Sequence, residues 1–261
     1  MPALKVGGLP GRLWISDPAY MVARRLSSAA SRADPTRSAA PERRRVRIHQ
    51  RNPCIPMLEV TQLACRRGDR LLFAGLDFAV ATGTLLHVRG ANGSGKTTLL
   101  RSLCGLFTPD TGEIRWKDES TRRLGEDYRR DLLYFGHLNG IKGDLTGIEN
   151  LRVAATLDGD RVDESAIWAA LARIGLVGFE DLPTRMLSQG QKKRVALARL
   201  ILSNAPLWVL DEPFTALDVG AVDLLETLIA NHVAHGGIVV LTTHQEVGLT
   251  SGQVERLHLG S

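Results

Sequence analysis

The chain of 261 residues reads as an α/β fold: a core on a mainly parallel sheet, carrying a helical insertion. Three observations point there. The runs "LLYFG", "LWVLDEP" and "GIVVLTTH" are continuously apolar and end in polar residues, as strands buried on both faces of a parallel sheet do. Helical periodicity dominates residues 145 to 203, between the first run and the second. A glycine-rich octapeptide, Gly90 to Thr97, follows a strand-like run and opens a helical one. With 44% hydrophobic residues, this length can bury one large core, with or without a subdomain.

In chain order, residues 1 to 56 hold 11 Lys and Arg against 3 Asp and Glu, leaving 22 basic and 25 acidic residues in 57 to 261. The net charge of +5 therefore belongs to a Ser, Ala, Pro and Arg-rich leader with little periodicity, which reads as disordered, while the body is slightly acidic. Three explanations of the leader stay open: translation from an upstream start codon, with Met57 the start of the body; an Arg-rich, acid-poor transit segment; or a basic arm for anionic surfaces.

From Met57, "LEVTQL", "LLFAGLDFAV" and "LLHVRG" read as strands. "KTTLLRSLCGL" reads as a helix, with Leu99, Leu100 and Leu103 at helical spacing and Gly105 as its C-terminal stop. In the helical stretch, Ile167, Ala170, Leu171 and Ile174 make one stripe before Gly175. No internal repeat is visible. Cys54, Cys65 and Cys104 lack metal-ligand spacing and read as reduced thiols. No apolar run approaches the eighteen or so residues that span a bilayer, so a membrane role would come through a partner.

The octapeptide "GANGSGKT" (Gly90, Ala91, Asn92, Gly93, Ser94, Gly95, Lys96, Thr97) fits G-x-x-x-x-G-K-S/T, with Thr98 next on the helix. Glycines let the backbone wrap phosphates with its N–H groups inward, and a helix N-terminus adds positive potential. Lys96 is placed to reach the β- and γ-phosphates and Thr97 to offer its hydroxyl to Mg²⁺. At the end of "LWVLDEP", Asp211 is the candidate metal carboxylate and Glu212 the candidate to polarise attacking water; a helix-capping "DEP" is the alternative. "LSQGQKKRVALARLIL" adds a turn at Ser188, Gly190 and Gln191 leading into a helix, a second anion site too far from Lys96 to share one phosphate within one chain.

Together these motifs resemble those of the ABC ATPases, with Gln189 in place of the commoner glycine. The resemblance implies a RecA-like P-loop NTPase core, an N-terminal antiparallel β subdomain, and a helical ABC subdomain at about 140 to 203, all within 57 to 261. It also implies that ATP and Mg²⁺ are held between the P-loop of one copy and the Ser188 turn of a second. Asp218 in "TALD" matches the loop through which paired subunits communicate, and His244 the switch histidine that bridges γ-phosphate, water and Glu212. His232 and His235 read as surface residues. Two positions depart from the pattern. Arg67 stands where an aromatic ring usually stacks on adenine, and either lies on the base or is a solvated basic turn. His137 stands where a glutamine usually touches Mg²⁺ or water; neutral imidazole is a poor ligand for Mg²⁺, which leaves water or phosphate contact and coupling, or an inert loop residue.

Within that family, "YFGHLNGIKGDLTGIENL", "MLSQGQKKRVALARL", "LWVLDEPFTALDVGAVDLL" and "GGIVVLTTHQ" resemble the ATP-binding subunits of cytochrome c maturation haem exporters. This implies a permease of the CcmB type and other cytochrome c maturation membrane proteins as partners. It also implies a peripheral position on the cytoplasmic face of the bacterial inner membrane, release of a haem-loaded chaperone, and no nucleic acid. No C-x-x-C-H haem-attachment motif is present. An exporter of another cargo, or a soluble ATPase acting on nucleic acid or ribosomes, is the alternative. Against the soluble kind stand a single set of motifs and the short stretch from Lys96 to Asp211.

Overall fold

A computed structural model describes residues 56 to 244 and 252 to 260. All lie in the unit Arg43–Ser261; the other unit, Met1–Glu42, lies outside the described residues, as does the leader expected at 1 to 56 except for its last residue, and Cys54 with it.

Two sheets divide the work. β1 (Pro56–Arg67), β2 (Arg70–Ala81), β4 (Thr111–Trp116) and β5 (Glu119–Ser120) form an antiparallel sheet in the order β2-β1-β4-β5. β3 (Thr84–Gly90), β6 (Leu132–Phe135), β7 (Leu207–Asp211), β8 (Ile238–Thr242) and β9 (Gln253–Leu259) form the other, in the order β6-β7-β8-β3-β9. Every pairing in this second sheet is parallel. "LLHVRG" therefore leaves the company of the two strands before it in sequence and becomes a core strand of the parallel sheet.

The apolar runs are explained by alternation between two cores. Val209, Val240, Leu86 and Val88 face one core with Leu99, Leu100 and Leu103 of α1 (Lys96–Leu103) and with Leu58, Val60 and Phe78 of the antiparallel sheet. Trp208, Leu210, Val239 and Leu241 face a second, with α6 (Gln189–Leu202) and α7 (Val219–Ala234). Gly105, in the left-handed region at φ 68°, follows the end of α1. Short α2 (Thr121–Leu124) and α3 (Glu126–Arg130) lead into β6.

A third core is purely helical. α4 (Gly147–Asp158) and α5 (Glu164–Arg173) contribute Ile148, Leu151, Ile167, Ala170 and Leu171, and α6 returns Val195 and Ala198. α6 is thus apolar on two faces and ties the helical group to the sheet. Its start is set by a capping box: Ser188 Oγ accepts from the Gln191 N–H at 3.2 Å, and the Gln191 side chain accepts from the Ser188 N–H at 2.9 Å. α4 begins the same way at Thr146 and Glu149. Among the described residues no helix is long and apolar enough to cross a membrane.

One expectation is corrected here. His232 is half-buried rather than on the surface: its ring stacks on Trp208 with centroids 3.9 Å apart, and its Nε2 lies 3.3 Å from the Pro206 carbonyl. His235 is exposed.

Candidate nucleotide site

Because β3, β6, β7 and β8 run parallel, their C-terminal ends fall on one edge of the sheet, where α/β folds place their chemistry. β3 delivers the Gly90 turn, β7 delivers Asp211 and Glu212, and β8 delivers His244 two residues past its end. Gly90, Gly93 and Gly95 have φ of 154°, 78° and 101°. A Cβ on Gly90 would meet the Leu259 carbonyl oxygen at 2.5 Å, and one on Gly95 would meet Leu72 and Phe73 at 3.0 Å, so the turn admits only glycine at both. Gly95 precedes α1 without a side-chain cap, and the first turn of α1 carries no acid, leaving its N–H groups for an anion.

Lys96 folds back over the loop, its Nζ donating to the carbonyls of Gly90 at 2.8 Å and Ala91 at 3.2 Å. Asp211 is 2% exposed. Its Oδ1 accepts from Thr242 Oγ1 at 2.8 Å and Thr97 Oγ1 at 3.3 Å, while its Oδ2 is buried with no hydrogen-bond partner. An orphaned carboxylate oxygen beside a threonine hydroxyl is a fitting donor set for a hard divalent cation. Glu212 sits in the left-handed region at φ 51°, a conformation that costs a non-glycine residue about 1 kcal/mol and must be held by its surroundings. Its N–H bonds both the carbonyl, at 3.2 Å, and the hydroxyl, at 3.0 Å, of Thr242. The Glu212 carboxylate lies 3.5 Å from His244 Nε2.

A cavity of about 470 Å³ joins these groups, taking in Arg67, Lys96, Thr97, Thr98, Asp211, Glu212 and His244 along with Asn92, Gly93 and Gly95. Gly90, Ala91 and Ser94 complete the turn without lining it. Arg67, at the end of β1, is exposed and borders the same space as Lys96.

Other candidates fall outside this cavity. His137 is exposed and borders a different cleft, of about 370 Å³, with Arg101, Tyr134, Leu138 and Arg199. Ser188, Gly190 and Gln191 open α6 without lining the cavity, and Ser188 is exposed. The Asp218 carboxylate is used within its own chain: Oδ1 accepts from the Ala221 N–H at 2.9 Å to cap α7, and Oδ2 pairs with Arg194. The Arg194 hydrogen bond, and then the Ala221 N–H, hold that carboxyl below its ordinary range.

Sequence reasoning missed Thr242, which bonds both Asp211 and Glu212, and Lys193, whose Nζ reaches the Glu212 carbonyl at 3.2 Å. Lys193 did carry a signal: it precedes Ala196, Leu197 and Leu200 by three, four and seven positions, placing a lysine at the head of an apolar stripe.

A P-loop with a buried aspartate, a strained glutamate and a histidine at neighbouring strand ends defines a nucleoside triphosphatase. Residues 73–215 match the ABC transporter family model. The chain is 54% identical over 204 residues to the cytochrome c biogenesis ATP-binding export protein CcmA of Dechloromonas aromatica, covering 78% of this chain and 100% of that one. It is 50% identical over 205 residues to the protein of the same name from Yersinia pestis, covering 78% and 94%. A solved ATP-binding subunit of an ABC transporter superposes with a TM-score of 0.65 at 28% identity, covering 72% of this chain and 79% of that one. The chain belongs to the ABC transporter family, among the cytochrome c biogenesis ATP-binding export proteins.

Proposed function

We propose that this protein hydrolyses ATP to power a separate membrane subunit, of the CcmB type, in an exporter that serves haem delivery to cytochrome c. The observation that carries the hydrolytic reading is the Glu212 carboxylate 3.5 Å from His244, in one cavity with Lys96, Thr97 and Asp211. The names of the relatives support the exporter reading.

ATP lies with its phosphates along the Gly90 to Thr97 N–H groups and the start of α1. Lys96 exchanges its two carbonyl contacts for phosphate oxygens. Thr97 and Asp211 would hold Mg²⁺, which supplies neutralisation of charge on the β- and γ-phosphates. Glu212 accepts a hydrogen bond from water and aligns it with the γ-phosphorus, and His244 fixes both the carboxylate and the phosphate. A second copy contributes its Ser188 turn, so loss of the γ-phosphate removes the link that holds two copies together. The cleft at His137 faces the membrane partner and carries the motion to it.

Glu212→Gln tests the reading. It keeps the shape and removes the base, so ATP should hold the variant as a dimer on gel filtration with turnover down about 100-fold or more. Parental turnover in this variant would take Glu212 out of its role. Co-purification in detergent with a multi-spanning membrane protein tests the exporter half.

A further inference from the structure

Lys193 is a charged side chain where helix α6 should be apolar. It is only 8% exposed. Its Nζ donates to the backbone carbonyls of Thr215 at 2.6 Å and Glu212 at 3.2 Å, and stands 5.8 Å over the ring of Phe135. Burial pulls its ammonium below the ordinary lysine range, and the Glu212 charge pushes the other way. An ion kept in such a place without a carboxylate contact is expensive unless its donors are used.

Those donors go to a segment whose backbone is strained: Glu212 and Ala216, the residue after Thr215, both lie in the left-handed region, at φ 51° and 61°. The Glu212 peptide, at φ 51°, is held at its N–H by Thr242 and at its carbonyl by Lys193; the Thr215 N–H adds only a longer bond, 3.4 Å, to that carbonyl. An apolar residue at 193 would leave the Thr215 and Glu212 carbonyls without this donor. The same lysine sits five residues into the segment that begins at Ser188, and its ammonium faces the ring that ends β6, two residues before His137. Helix α6, which the Ser188 turn opens, the Glu212 peptide and the last residue of β6 thus meet at one side chain.

We propose that Lys193 is a positioning residue: by clamping the Glu212 and Thr215 carbonyls to helix α6, it fixes the reactive carboxylate and makes its position depend on the helix that bears the Ser188 turn. The inference rests on the assignment of Glu212 given above. It adds a dependence of one chain's hydrolytic carboxylate on the engagement of the same chain's serine turn, which serves the other copy.

The test uses the full chain, with kcat and KM for ATP measured separately in Lys193→Met, Lys193→Arg and Glu212→Gln. Lys193→Met keeps the length and removes the donor. It should lower kcat about tenfold or more, the scale set by misplacing a reacting group, with KM changed less than about twofold. Lys193→Arg should recover most of that loss. In a Glu212→Gln background the methionine should add little further loss under single turnover, because both changes then act through one group. Parental kcat in Lys193→Met would overturn the proposal, as would a loss in which KM rises as much as kcat falls and arginine restores nothing. Should Glu212→Gln itself turn over at the parental rate, the assignment of Glu212 falls. An inert Glu212→Gln beside an unimpaired Lys193→Met removes the role of Lys193 alone.

Discussion

At the scale of single residues, Thr242 joins the candidate metal carboxylate to the candidate base. It is fully buried, its hydroxyl donates to Asp211 Oδ1 at 2.8 Å, and the same oxygen accepts from the Glu212 N–H at 3.0 Å. Valine has the same shape and neither bond. In Thr242→Val, Asp211 keeps only the longer bond from Thr97 at 3.3 Å, and the Glu212 N–H keeps only the Thr242 carbonyl at 3.2 Å. Leaving a buried carboxylate oxygen short of a donor costs about 1 to 3 kcal/mol, readable as a lower urea midpoint at unchanged slope. Turnover should fall with it, since both reactive carboxylates lose a fixed support. A variant as stable and as active as the parent would show that Thr242 is a spectator. No sequence period marks such a residue: a threonine near the end of "GIVVLTTH" is legible as a strand residue, but its two partners arrive from β7 only through the sheet pairing.

At the scale of elements, legibility follows burial. β7 and β8 are buried at every position because two cores flank them, so their runs are unbroken and easily read. β9 places the charged residues Glu255 and Arg256 at its centre with Glu255 on the buried side, lies at an edge, and is paired to β3 by contacts far off in sequence; the sequence reading has no strand there. The P-loop is legible because its chemistry is local, whereas the Asp218 cap and the Lys193 clamp depend on how helices pack. His232 belongs with these: it holds α7 to β7 through its stack on Trp208, and a Cβ on Gly237 would overlap its ring. Burial lowers its pKa below the ordinary value, carbonyls of Pro206 and Ile238 oppose that, and His235 adds slightly to it. A base whose folded pKa lies below its unfolded value contributes stability that is complete above pH of about 6.5 and is lost as pH falls through the folded value. The parent should therefore lose more unfolding free energy between pH 7.5 and pH 5 than His232→Phe, which keeps the stack and cannot protonate. Equal losses in urea titrations would show that His232 does not drive the acid sensitivity.

At the scale of the whole molecule, the geometry leaves a pocket with one wall missing. The P-loop, Asp211, Glu212 and His244 gather on one cavity, while the exposed Ser188 turn of the same chain lies outside it. A capping box already uses Ser188 Oγ as an acceptor to stabilise α6, which leaves its O–H and the first N–H groups of a long helix for the anion that the proposed second copy would bring. A second copy turned about a twofold axis would bring each turn to the other's cavity, so that two half-sites become two whole ones. The arrangement has a consequence that single variants cannot imitate. Lys96→Ala removes the phosphate-loop half and Ser188→Arg blocks the turn half, so each variant alone forms only defective sites and should be nearly inert. Mixed in equal amounts, half of the dimers are hybrid, and each hybrid joins the intact P-loop of one copy to the intact turn of the other. For independent sites the mixture should regain about a quarter of parental turnover, two inert proteins becoming active on contact. Recovery should rise with protein concentration, because it requires association, and titrating one variant against the other should give a maximum near equal amounts. If the mixture stays as silent as its parts while both variants still bind ATP or dimerise as far as their lesions allow, each chain works without its neighbour's turn, and the shared pocket has to be abandoned.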